Sequence, residues 1–207
     1  MSRLYYVLRD AHARFWTKYR AEVSFVHINK TGGTSIEKAL GLPFLHMTAV
    51  QLRALIGEVR WKRRFSFAFV RNPWDKVASH YRFRVKTNQT GLGDDPIPFS
   101  QWVRRAYGDR DPTYYDNPQM FMQQIEWVAD EQGKILVDFI GRFERLHDDF
   151  DEVCRRIGRS ATLPHVKSTG SRDYRPLYDD RSVEIITERF ADDVERFRYS
   201  FERERDG

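Results

Sequence analysis

Lys30, Thr31, Thr34 and Ser35 surround the pair Gly32-Gly33 in residues 24–35, SFVHINKTGGTS. A mobile ammonium, three hydroxyls and two positions without a Cβ make a set that can enclose an anion. Phe25, Val26 and Ile28 predict a short buried strand ahead of the glycines, and Ile36, Ala39 and Leu40 predict a helix after them. The first N–H groups of a helix have no internal partner, and its dipole places roughly half a positive charge there, so a phosphate fits this turn. A nucleoside-triphosphate loop reads GxxxxGK[ST], with its lysine after the glycines. Here Lys30 precedes them, which weakens the triphosphate reading. The same residue types also serve as plain helix caps, and that alternative stays open at this point.

The length of 207 residues suits a single domain, 1–207, and 41% hydrophobic with 14% aromatic residues supports a packed core. No apolar run reaches the ~18–20 residues of a membrane span, so the expectation is a soluble protein. One cysteine rules out an internal disulfide framework. Arg9, Asp10, His12 and Arg14 interrupt any signal-peptide core near the N-terminus. A net charge of +5 favours anionic ligands without choosing among nucleotide, sugar polyanion and nucleic acid.

Residues 1–22 read as an N-terminal arm or helix, with Tyr5, Leu8, Phe15, Trp16 and Tyr19 at roughly helical spacing and expected to pack. Gly41-Leu42-Pro43 ends the first loop's helix. Thr48 and Gln51 have capping-box spacing, so a short helix is expected from Thr48 to before Gly57, with His46 on the connection that precedes it. A second strand covers residues 65–70. Asn72 and Pro73 then suit the cap and first position of a helix carrying Trp74, Val77, Ala78, Tyr81 and Val85 inward. Arg71 leaves that strand's end, and Ser79 lies two turns along the helix. Both are expected at the sheet edge of the first loop, where open α/β folds bind ligands. Residues 87–119 form an insertion or lid with one helix at 99–107, in which Trp102, Tyr114 and Tyr115 could pack or stack on a sugar or purine. A helix over 120–130, a third strand over 135–140 and a helix over 144–157 with Cys154 in the core follow. A polar segment at 163–173 comes next, and then one amphipathic helix capped by Asp180 with Val183, Ile186, Phe190, Val194 and Phe197 on its face.

Residues 25–35, the run Phe67-Ala68-Phe69-Val70-Arg71-Asn72-Pro73-Trp74 with Ser79 and Tyr81, and residues 137–144 resemble the sulfotransferase family that includes the heparan and chondroitin sulfate enzymes. The resemblance covers most of the chain from about Ser24 onward. It implies an α/β fold of the P-loop-like kind, three layers with a central mainly parallel sheet flanked by helices. It implies 3′-phosphoadenosine 5′-phosphosulfate (PAPS) as sulfuryl donor and a hydroxyl-bearing acceptor, expected to be a carbohydrate. Lys30, Thr31, Gly32, Gly33, Thr34 and Ser35 would then hold the 5′-phosphosulfate. Arg71 and Ser79 would hold the 3′-phosphate, with Arg172 closing over it. Two separated anion sites suit a bisphosphorylated nucleotide better than ATP.

Sulfuryl transfer needs an in-line acceptor oxygen, a base for its proton and positive charge on the bridging oxygen. Lys30 is expected to supply the charge and His46 the base, as relatives of the heparan type place a catalytic histidine after the first loop. Those of the 2-O type carry a His-x-His pair that is absent here; His80 and a carboxylate are the rival bases. No metal is expected, because a sulfuryl group carries less charge than a phosphoryl group. Neither nucleic acid nor a membrane span is expected, and the absence of the N-terminal anchor seen in Golgi members implies a cytoplasmic enzyme. A small nucleotide kinase or other phosphotransferase, and a non-catalytic relative that only binds nucleotide or glycan, are the competing functions.

Overall fold

The run Phe65-Ser66-Phe67-Ala68-Phe69-Val70 has no polar face, and such a strand must be covered on both sides. The computed structural model describes residues 3–164 and 173–202, with side chains from residue 8. In chain order the elements are α1 (Arg3–Tyr19), β1 (Val23–Val26), α2 (Gly33–Leu40), α3 (Ala49–Ile56), α4 (Glu58–Arg63), β2 (Phe65–Val70), α5 (Pro73–Lys86), α6 (Phe99–Val103), α7 (Ile125–Val128), β3 (Phe139–Arg142), α8 (Leu146–Arg156), α9 (Asp180–Arg189) and α10 (Ala191–Phe197). The chain divides into two compact units, Met1–Val70 with Glu126–Lys167, and Arg71–Ile125 with Ser168–Gly207.

The first unit holds a small open parallel sheet in the order β1-β2-β3. Val26 lies beside Ala68, and Val70 beside Arg142, so β2 is the central strand. Phe67 and Phe69 are fully buried against Ile36 and Leu40 of α2 and Leu146, Phe150 and Val153 of α8. Burial of each phenyl ring contributes roughly 2–3 kcal/mol. Cys154 lies in this core, as its position on the apolar stripe of α8 required. The box at the start of α3 forms as its spacing demands: Gln51 N–H donates to Thr48 Oγ1 at 3.2 Å, and Thr48 N–H donates to Gln51 Oε1 at 2.9 Å.

Three expectations change. Large apolar side chains of α1 face outward, Leu8 at 61% and Phe15 at 56% exposure, while Ala13 and Thr17 are buried. A helix resting on Ala and Thr lies closer to its neighbours than one resting on rings. The third strand begins at Phe139 and not at 135, because Ile135 pairs antiparallel with Ala129 across a turn. In that turn Gly133 takes φ 75°, and the Asp130 carboxylate accepts the N–H groups of Gln132 and Lys134. The expected helix over 120–130 reduces to a 3-10 turn at Pro118–Phe121 and the short α7.

In the second unit, Asn72 Oδ1 accepts the N–H groups of Trp74 and Asp75, and Pro73 follows it at the start of α5. Trp74, Val77 and Ala78 are buried along that helix. Within residues 87–119, Phe99, Trp102 and Tyr107 are core residues, and Trp102 is 0% exposed, so its ring is spent on packing and cannot stack on a ligand. The expected single C-terminal helix is two. It breaks at Phe190 (φ −117°, ψ 30°), and its cap is Asp179, which accepts from Ser182 N–H, one residue before the expected Asp180. The break has a compensating contact. Asp193, 0% exposed in the first turn of α10, accepts the N–H groups of Gln124 at 2.7 Å and Ile125 at 2.8 Å. Burial lifts its carboxyl to about 6 against these bonds and the nearby Lys76.

Among the described residues no helix is long and apolar enough to cross a membrane. Asp193→Asn offers one carbonyl where two amide donors need two oxygens, and should cost about 3 kcal/mol. Thermal unfolding should show Tm lower by roughly 6–12 °C; a change of a degree or less would mean that Asp193 does not anchor residues 124–125.

Candidate functional site

β1 ends at Val26, and His27, Ile28 and Asn29 continue inside the first unit, all buried. Lys30 then adopts φ 67° and Gly32 φ 85°, two left-handed residues that turn the chain back before α2 begins. The left-handed region costs a non-glycine residue about 1 kcal/mol, so Lys30 sits in a conformation its surroundings must enforce. Thr31 helps to enforce it: its Oγ1 donates to the Ile28 carbonyl at 2.9 Å. That bond uses the hydroxyl proton, so the contribution of Thr31 to an anion reduces to its backbone N–H. Gly32 caps α2 without a side chain, which leaves the helix's first N–H groups without a side-chain acceptor. Thr34 is exposed, and Lys30 and Ser35 are half-buried. The six expected loop residues therefore form one tight turn with backbone donors at the positive end of a helix dipole.

The turn rests on an imidazole. A Cβ built on Gly33 would lie 2.1 Å from His27 Cδ2, and one on Gly32 would meet Leu146 Cδ2 at 3.0 Å. Only glycine lets the backbone lie on the His27 ring. The ring is itself fixed, with Nδ1 2.7 Å from Glu37 Oε1, and Glu37 also accepts from Leu45 N–H at 3.4 Å. His46 Nδ1 lies 2.8 Å from the His27 carbonyl oxygen, and the two imidazole centroids are 4.2 Å apart. A carbonyl can only accept, so His46 Nδ1 carries the hydrogen and Nε2 keeps its lone pair. Phe44 meets the His46 ring edge-on at 4.7 Å and Trp127 at 6.2 Å.

Burial dominates the electrostatics. It lowers His46 to about 4 and His27 to about 3, the latter with help from the Lys30 charge, and raises Glu37 to about 8. Both imidazoles are neutral at physiological pH. Their folded values lie below the ordinary 6.5, so the stability they contribute is present above that value and is lost as pH falls through about 4 and about 3. A neutral imidazole with an open Nε2 can accept a proton from a hydroxyl.

The second expected group lies in the second unit. Arg71 N–H donates to Gln124 Oε1, and Gln124 Nε2 returns a bond to the Arg71 carbonyl, both at 2.8 Å. The Arg71 guanidinium grips Asp75 through Nε at 2.9 Å and Nη2 at 2.8 Å. Ser79 is half-buried one turn beyond Asp75, so Arg71, Asp75 and Ser79 follow one another at i, i+4 spacing. Asp75 is thus an unforeseen carboxylate on the expected phosphate-binding arginine. His80, the rival base, is a core side chain, 3% exposed, with Nδ1 3.2 Å from the Tyr107 hydroxyl and its ring against Phe121. Arg172 lies outside the described residues.

His27 and Glu37 were not foreseen. One signal was present: Gly33, Ile36, Glu37 and Leu40 share the buried stripe of α2, and a glutamate on an apolar stripe needs a partner. His27 carried no comparable mark.

The chain belongs to the sulfotransferase family, whose model matches residues 13–200, and is by that class a transferase. It is similar to an uncharacterized protein of Archaeoglobus fulgidus, 27% identical over 133 residues that cover 63% of this chain and 99% of that protein. No solved structure matches it.

Gly33→Ala should cost about 2 kcal/mol or more, because the new methyl meets a ring clamped by Glu37. The double variant Gly33→Ala/His27→Ala should be more stable than the sum of its single variants predicts, by roughly 1 kcal/mol in urea unfolding. Additive losses would show that ring and loop are not in contact.

Proposed function

We propose that the protein transfers the sulfuryl group of PAPS to a hydroxyl, that of a carbohydrate acceptor, on a P-loop-like arrangement of β1, the glycine turn and α2. The observation that carries this reading is the turn itself. It is a lysine-first loop with two left-handed residues, its helix lacks a capping side chain, and a neutral histidine stands beside its supporting ring. Its donor set suits an anionic group, and the glycines let the backbone rest on His27 with its N–H groups at the head of α2.

PAPS supplies an activated sulfuryl group on a phosphate leaving group. Lys30, with the N–H groups of residues 31–34, neutralises charge that develops on the bridging oxygen as its bond to sulfur breaks. His46 Nε2 takes the acceptor's proton as the new oxygen–sulfur bond forms. Arg71 and Ser79 hold the 3′-phosphate, joined by Arg172. For Arg71 this entails sharing or releasing Asp75, so nucleotide binding carries the cost of loosening an ion pair that is 12% and 22% exposed on its two sides. Loosening that pairing would let the guanidinium fork turn to phosphate oxygens, a geometry that lysine could not reproduce.

Turnover of 35S-labelled PAPS on a panel of sugar acceptors tests these roles. Lys30→Ala should abolish transfer. His46→Ala should lower kcat by about 10²–10⁴-fold with nucleotide affinity nearly intact, and the acid limb of the wild-type kcat/KM should fall near pH 4, where the imidazole protonates. Unchanged turnover in His46→Ala would remove it from the mechanism.

A further inference from the structure

Glu37 and His27 form a buried pair, their side chains 5% and 4% exposed, directly under the glycine turn. Two arrangements of the proton are conceivable across their 2.7 Å contact: carboxylate with imidazolium, or acid with imidazole. The surroundings separate them. Glu37 Oε2 is buried with no hydrogen-bond partner, and Oε1 has beyond the imidazole only the long bond from Leu45 N–H. The carboxyl also borders a small cleft lined by Thr17, Phe25, Leu42, Leu45 and Met47, of which Thr17 alone carries a side-chain donor and makes no hydrogen bond to it. A carboxylate there would lack the donors that buried anions require. An imidazolium would in turn face Lys30, whose charge already acts on His27 and His46.

In the neutral pair the position of the acid proton follows from the same contacts. On Oε2 it would be an orphan donor, whereas on Oε1 it points at His27 Nδ1. Each arrangement leaves one donor without a protein acceptor, Oε2–H or His27 Nε2–H, and of these two atoms only Oε2 is sealed from solvent, so its orphan donor is the costlier. His27 is then left with its hydrogen on Nε2, while His46 has its hydrogen on Nδ1, held by the His27 carbonyl.

We propose that Glu37 works as a neutral carboxylic acid, a positioning residue whose O–H donates to His27 Nδ1 and thereby holds His27 and His46 in opposite tautomers, with His46 Nε2 bare. The significance of the bare Nε2 for turnover rests on the reading of His46 as base; the tautomers themselves do not depend on that reading. Burial raises Glu37 to about 8, in keeping with the neutral form. The groups facing Glu37 from its neighbours are His27, the Leu45 N–H and His46. Once ionised, the carboxylate can only accept, so His27 must shift its hydrogen to Nδ1, and a negative charge appears beneath a turn built for anions. Nucleotide affinity should therefore decline as pH rises through about 8.

Stability carries the same signature. The folded value of Glu37 lies above the ordinary 4.5, so its contribution is full below that pH and is lost as pH rises through about 8. Glu37→Gln keeps a donor, as an amide N–H, and cannot ionise.

Long-range 1H–15N spectra of the 15N-histidine protein at pH 7 should show His27 with hydrogen on Nε2 and His46 with hydrogen on Nδ1, and Glu37→Gln should retain both. Between pH 5 and 8.5 the Tm of wild type should fall relative to Glu37→Gln on the order of 5 °C or more. Its affinity for adenosine 3′,5′-bisphosphate should weaken severalfold over pH 7–9, while that of Glu37→Gln stays flat. Hydrogen on His27 Nδ1 at pH 7 in the wild type would overturn the proposal, even if Glu37→Gln fails to fold; so would parallel stability curves. Correct tautomers with full turnover in His46→Ala would instead sink the base assignment and leave Glu37 as argued.

Discussion

The rest of the site depends on one contact, the backbone of Gly33 lying flat on the His27 ring. A single methyl at residue 33 would come within 2.1 Å of that ring. The contact joins levels that are otherwise separate. Burial of the apolar β1 carries the chain through His27 into the interior. The ring then forms the floor on which the turn of residues 30–33 is laid, and the left-handed Lys30 and Gly32 set where α2 can begin. An imidazole in such a place has to be held, and Glu37, one helical turn into α2, holds it. The turn that could receive an anion and the helix whose dipole would favour it are thus pinned from below by the same pair of side chains.

Local chemistry was legible in the sequence and long-range partnership was not. The Thr48–Gln51 box, the Asn72-Pro73 cap, the Gly41 stop and the Phe65–Val70 strand each depend on residues within a turn of one another, and each formed where the pattern placed it. The loop residues were legible for the same reason. The helix break at Phe190 was hidden because its reward, the N–H groups of Gln124 and Ile125 on Asp193, comes from about seventy residues away in sequence. The packing face of α1 is not the one periodicity favours, because amphipathic spacing points to large apolar residues whereas close approach favours Ala13 and Thr17. His27 was invisible in the sequence: nothing in FVHIN announces that a glycine six positions on will need its ring.

Charge is handled in opposite ways at the two groups of residues. Around Glu37 the interior neutralises: acid and imidazoles all keep their uncharged forms, which spares three desolvation penalties within one small region. Around Arg71 it pairs: guanidinium and Asp75 carboxylate are both retained, partly buried, at 2.8 Å. If the proposed roles hold, a neutral base beside an anion-binding turn would stay ready without repelling or competing for the ligand. In the same proposal the arginine paired with Asp75 would keep its charge until an anion displaces that carboxylate. Membership of the sulfotransferase family fixes the class of chemistry, and these local arrangements decide how this chain would carry it out.

Thermal unfolding with adenosine 3′,5′-bisphosphate, against ATP with magnesium, examines the nucleotide assignment most directly, because stabilisation follows affinity. At a hundredfold excess over Kd the bisphosphate should stabilise the protein by about 2.7 kcal/mol without any metal, and ATP with magnesium should have much less effect. A clear rise in Tm with magnesium and ATP, and none with the bisphosphate, would contradict it.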